Sequence, residues 1–93
     1  MKQHKIQIQL KQNNYSEEEY LTEREAAILK YVLWGYTAKK IGRALNISFR
    51  TVEAYIDILK CKLHCHSKGD IIETAIKMGL AKKLDVYTFN KDL

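Results

Sequence analysis

Ninety-three residues, 46% of them hydrophobic, suffice for one small folded domain and leave no room for a second sensory or catalytic one within the chain. The formal net charge is +5, and residues 22–81 hold ten Lys/Arg against six Asp/Glu, so the basic excess sits in the centre, which suits a polyanionic partner as well as plain solubility. Two cysteines are too few for a disulfide framework, and the N-terminus has no long apolar run, so a reducing cytoplasm is expected, with no signal peptide, spanning helix or membrane partner.

Residues 1–20 read as a flexible arm or linker. Ile6, Ile8 and Leu10 alternate with polar residues, the period of a short strand. A lone strand buries too little to be stable, so this one is expected to stay flexible or to pair with something. Ser16, with Glu19 three residues on, has the form of a helix start.

The folded unit is expected over residues 21–81. Thr22 with Glu25 forms a capping box for a first helix carrying Ala26, Leu29, Val32 and Leu33, and Gly35 ends it as a left-handed residue. Thr37 caps a short second helix with Ile41, Ala44 and Leu45 on one face. Asn46 tolerates the left-handed conformation that closes it. Ser48 caps a third helix, in which Val52, Ile56, Leu59 and Leu63 repeat at i, i+4, i+7 and i+11. Ser67 with Asp70 opens a fourth helix holding Ile71, Ile72, Ala75, Ile76 and Met78, with Gly79 at its end. Residues 82–93 form a polar tail whose Val86, Tyr87 and Phe89 are candidates to dock back. The spacing therefore reads as all-α, four helices with an arm and a tail.

The second and third helices form the informative pair. Ile47 in the two-residue turn can plug the angle between them, sharing a small core with Ile41, Leu45, Val52 and Ile56. The outer flank of the third helix then stays free for a DNA major groove, which is roughly 12 Å wide and admits one helix. Thr37, Lys39 and Lys40 on the shorter helix, and Ser48, Arg50 and Thr51 at the start of the longer one, suit phosphate oxygens. Glu53, Ala54 and Asp57 point away from the apolar stripe and are the candidates for base readout. A carboxylate accepts from cytosine N4, and an alanine methyl meets a thymine methyl. Lys60 and Cys61 fall one turn further on, at the groove edge. Read without resemblance to anything known, the same pattern also describes an ordinary helical hairpin.

The motifs resemble the LuxR/GerE-type helix-turn-helix family of bacterial transcription regulators. Leu21-Thr22-Glu23-Arg24-Glu25 with Ile28-Leu29 resembles its LT-x-RE-x-x-(I/V)-L opening. Gly35 to Leu45 resembles G-x-(S/T)-N-K-x-I-A-x-x-L, Ile47 to Glu53 resembles IS-x-(K/R)-TV-x, and Lys62-Leu63 resembles the KL near the end of the third helix. The cover is roughly residues 21–80. The resemblance implies an all-α, four-helix helix-turn-helix DNA-binding domain whose third helix enters the major groove and whose fourth helps form a dimer. By position, Lys39, Arg50 and Thr51 match family phosphate contacts, and Glu53, Ala54 and Asp57 match base-reading positions. Ala38, Tyr55 and His64 depart from the common asparagine, histidine and glycine, and Glu53 and Asp57 replace residues that are often basic or polar. These departures bear on the target sequence more than on the fold. His64 is expected to leave the turn after the third helix less sharply left-handed.

On the fourth helix, Ile71/Ala75 and Ile72/Ile76 are two i, i+4 pairs. One must pack inward, and Ile72, Glu73 and Ile76 are the expected dimer interface. Cys61, His64, Cys65 and His66 crowd into six residues at a helix end, a poor tetrahedron, so no metal and no cofactor are expected, and Cys65 is expected as a small core residue. No catalytic spacing is evident, so no enzyme is expected. The family usually joins this domain to a sensor, so the chain reads as a stand-alone regulator or a fragment of a longer one. The expected function is sequence-specific binding of double-stranded DNA, as a homodimer at the bacterial nucleoid. The alternative is a protein-interaction module that uses the same face to bind another regulator or RNA polymerase.

Overall fold

The computed structural model of the chain describes residues 8–12 and 18–84. Two strands, β1 (Ile8–Gln12) and β2 (Glu18–Leu21), precede five helices: α1 (Glu23–Leu33), α2 (Ala38–Leu45), α3 (Phe49–Leu63), α4 (Lys68–Lys77) and α5 (Leu80–Lys83). The strands pair antiparallel, with Ile8 opposite Leu21 and an irregularity between Gln9 and Lys11. The arm expected over residues 1–20 thus pairs within the chain along its described part. The helix start expected at Ser16 is corrected. Ser16 lies outside the described residues, but Glu18 and Glu19 belong to β2, where ladder pairing overrides a local capping signal.

Each of the four longer helices begins on the side chain expected of it. Thr22 Oγ1 accepts from Glu25 N–H at 3.1 Å while Glu25 Oε1 accepts from Thr22 N–H at 3.0 Å, a complete capping box. Thr37, Ser48 and Ser67 cap α2, α3 and α4 by accepting from the N–H three residues on, each at 3.1 Å. Asn46 closes α2 at φ 60°, and His64 closes α3 at φ 58°, both left-handed. The expectation for His64 is therefore corrected: the turn is as left-handed as a glycine would make it. Cys65 N–H donates to the Lys60 carbonyl at 2.8 Å and holds it there, and histidine is among the non-glycine residues that tolerate the region.

The core joins every element from β2 onward. Leu21, Ile28, Leu29, Val32, Ile41, Val52, Leu59, Ile71 and Leu80 are fully buried. Val52, Ile56, Leu59 and Leu63 all turn inward, and burying each contributes about 2 kcal/mol. Leu45 and Ile47 pack against this core at its edge. α5 and the buried Leu84 extend it into what the sequence presents as tail, because Leu80, Ala81 and Leu84 recur at helical spacing. Val86, Tyr87 and Phe89 lie outside the described residues.

One buried charge ties three elements together. Glu25, 6% exposed, accepts from Lys62 Nζ at 2.7 Å, and the same ammonium donates to the Tyr20 carbonyl at 2.7 Å. The end of α3 is thereby fastened to the start of α1 and to β2. Lys62→Met should lower thermal stability by about 2 kcal/mol, since it leaves a buried carboxylate without its counter-charge. Adding Glu25→Gln should recover part of the loss. Thermal unfolding of the three proteins checks this, and an unchanged Tm in the single variant contradicts the pairing.

Candidate nucleic-acid interface

The interface is built on α2, its turn and α3. Gly42 sets how closely they meet. Its carbonyl accepts from Ile47 N–H at 2.9 Å, and a Cβ at this position would stand 2.6 Å from the Ile47 carbonyl oxygen. A side chain here would force the turn to shift, so glycine allows this close approach. Ser48 then redirects the chain into α3. Its hydroxyl accepts from Thr51 N–H and lies 2.9 Å from the Thr51 hydroxyl, so the first turn of α3 is tied from two sides.

Because the apolar stripe faces inward, the opposite flank of α3 is bare. Arg50, Thr51, Glu53, Ala54 and Asp57 are all exposed, as is Cys61 one turn further on. Thr37, Lys39 and Lys40 are exposed at the start of the adjacent α2, and Ser48 at the start of α3. The fold therefore brings the nine phosphate and base-reading candidates onto two neighbouring elements. Ile72, Glu73 and Ile76 stand apart on α4. Ile72 is half-buried against the core, Glu73 is open, and Ile76 is 57% exposed. Ile71 and Ala75 form the pair that packs inward.

Charge is distributed unevenly around α3. A recess on the α2 side is lined by Lys39, Gly42, Arg43, Asn46, Ile47, Ser48 and Phe49, with two cations and no carboxylate. A second recess, lined by Ala38, Glu53, Ile56, Asp57, Lys60 and Lys68, holds two of each sign. Within it, Asp57 and Lys60 approach to 3.6 Å, an exposed pair that contributes little to stability. Lys68 Nζ donates to the Tyr36 carbonyl at 3.1 Å, joining α4 to the loop before α2. The Lys40 ammonium lies 4.3 Å from the Tyr36 ring centroid, and that of Lys39 lies 5.7 Å from the Phe49 ring centroid. Phe49 and Lys68 had no distinctive signal in the sequence. Phe49 falls at an unspecified motif position, and the reach of Lys68 appears only once α4 is docked.

Trp34 belongs to a half-buried aromatic group with Tyr31 and Tyr36, its ring 5.3 Å from Tyr31 in an edge-on arrangement. Cys65 is buried as expected, its Sγ 3.4 Å from the Thr74 hydroxyl, while Cys61 is a free exposed thiol. Among the described residues no group of three or more His, Cys, Asp or Glu side chains is placed to hold a metal ion. No helix among them is long and apolar enough to cross a membrane.

Residues 19–75 match the family described as bacterial regulatory proteins, luxR family. The chain belongs to this luxR family. It is 41% identical over 69 residues to the uncharacterized response regulatory protein YgeK of Escherichia coli, covering 73% of this chain and 46% of that protein. It is 38% identical over 60 residues to the oxygen regulatory protein NreC of Staphylococcus carnosus, covering 64% and 28%. The chain thus spans less than half the length of these relatives. Among solved structures it is similar to Vibrio cholerae VqmA in a ligand and DNA complex, with TM-score 0.59, 36% identity and 60% of this chain against 25% of that one. It is also similar to a phage VqmA complexed with DPO, with TM-score 0.62, 39% identity, 63% of this chain and 27% of that one. The luxR-type helix-turn-helix fold expected from the motifs is confirmed.

Because Glu53 and Asp57 carry none of the core, Glu53→Ala and Asp57→Ala should each leave stability within about 0.5 kcal/mol of the parent. Ser48→Ala should cost about 1 kcal/mol through loss of the cap. Urea unfolding of the three variants checks the contrast, and a large loss for either carboxylate variant would show that α3 is not bare there.

Proposed function

We propose that this chain binds double-stranded DNA sequence-specifically to regulate transcription, with α3 in the major groove. The observation that carries the reading is the bare flank of α3, beside a short helix whose exposed lysines can reach the backbone. Thr37, Lys39, Lys40, Ser48, Arg50 and Thr51 act as phosphate contacts in this reading, and Glu53, Ala54 and Asp57 read bases. The similarity to a VqmA solved with DNA supports it, as do relatives named as regulators. Dimerisation through Ile72, Glu73 and Ile76 on α4 completes the proposal. A similar VqmA is described as a dimer, and Ile76 is a large apolar side chain left open on that helix. The bacterial nucleoid is the corresponding location. Two exposed carboxylates on the reading face favour one competing reading, a contact with RNA polymerase or another regulator.

Selection of bound sites from random duplexes tests the proposal. A two-fold symmetric site is expected, with affinity falling steeply as salt rises. Arg50→Ala should weaken binding to all duplexes alike, whereas Glu53→Ala or Asp57→Ala should change the recovered sequence. No duplex bound even at low salt would favour the protein-contact reading.

A further inference from the structure

Four large apolar side chains are exposed among the described residues: Phe49, Ile58, Ile76 and Met78. Phe49 alone of these stands in the first turn of α3. It is 41% exposed, and it shares an i, i+4 row with Glu53 and Asp57, since side chains four apart lie one above the other on a helix. The proposed reading ridge therefore begins with a phenyl ring, one turn before the first carboxylate. The N-terminal residues of a helix docked in this way meet base edges.

The ring also has a cation beside it. The Lys39 ammonium lies 5.7 Å from its centroid, and Phe49 lines the recess together with Gly42, Arg43 and Ser48. A cation placed against the ring keeps its apolar surface beside a side chain proposed to contact phosphate. In the major groove the available apolar group is the thymine 5-methyl, and a phenyl side chain is among those that contact it.

We propose that Phe49 is a specificity-determining residue whose ring packs on the 5-methyl group of a thymine at the end of the half-site read by α3. The proposal rests on α3 being the DNA-reading helix. It assigns this thymine to Phe49 and leaves any contact of Ala54 to a different base pair.

The test uses the full chain and the duplex recovered by selection, with each thymine replaced in turn by deoxyuridine, which lacks only the methyl. For the parent, one replacement in each half-site should weaken binding about fourfold, the effect of exposing one buried methyl group. In Phe49→Ala that replacement should have no further effect, while replacements elsewhere act as in the parent. Phe49→Leu, which keeps an apolar side chain, should retain part of the sensitivity. Circular dichroism checks that the variants fold, as an exposed side chain predicts. If the parent and Phe49→Ala respond identically to every replacement, the ring does not read a methyl and the proposal is overturned. Failure to recover any duplex would overturn it together with the proposed function, so the two failures are distinguishable.

Discussion

The organisation of this domain follows from a single constraint: α3 can bury one side only. Val52, Ile56, Leu59 and Leu63 are the positions around which α1, α2 and α4 collect, and a fifteen-residue helix packed this way leaves its other flank to solvent. The remaining interactions fix how that flank is presented. Gly42 brings α2 close to the turn, Ser48 starts α3 at a defined angle, and Lys62 fastens its far end to Glu25 and Tyr20. Both ends of the rod are thus tied while its outer middle carries no structural duty. Residues there are free to be chosen for what they touch.

What the sequence made legible was mainly local. The four N-caps, the left-handed Asn46 and Gly35, and the apolar stripe of α3 are each set by residues within one or two turns, so spacing alone identifies them. The failures involve longer reach. The pairing of β1 with β2 depends on a partner strand, which a capping signal at Ser16 cannot register. The small helix α5 is held by burial of Leu80 and Leu84 in a core that forms elsewhere. Glu25 and Lys62 are both motif residues, yet their contact spans 37 positions and no periodicity announces it. His64 shows the opposite case. Residue type argued for a weaker turn, but the hydrogen bond from Cys65 N–H to the Lys60 carbonyl imposes the left-handed geometry all the same.

The candidate site divides in the same way. Placement of Arg50, Thr51, Glu53, Ala54 and Asp57 on one side of a helix was readable from the stripe opposite them. The charge landscape around them was not, since it arises where α2, α3 and the start of α4 converge. On the proposed reading, the chain separates attraction from discrimination. Lysines on α2 and Arg50 supply sequence-independent attraction to phosphates. Carboxylates over the bases oppose that attraction unless a donor such as cytosine N4 faces them, so they favour one sequence by rejecting others.

The proposed function depends most on which side of α3 meets a nucleic acid. The direct measurement is titration of isotope-labelled protein with duplex DNA, following each backbone amide by NMR. Perturbations concentrated at residues 37–40 and 49–57, with the buried Ile28, Leu29 and Val32 of α1 and Ile71 and Ala75 of α4 little affected, are the result predicted here. Perturbations confined to α1 or the β1–β2 hairpin, with residues 50–57 unmoved at saturation, would contradict it.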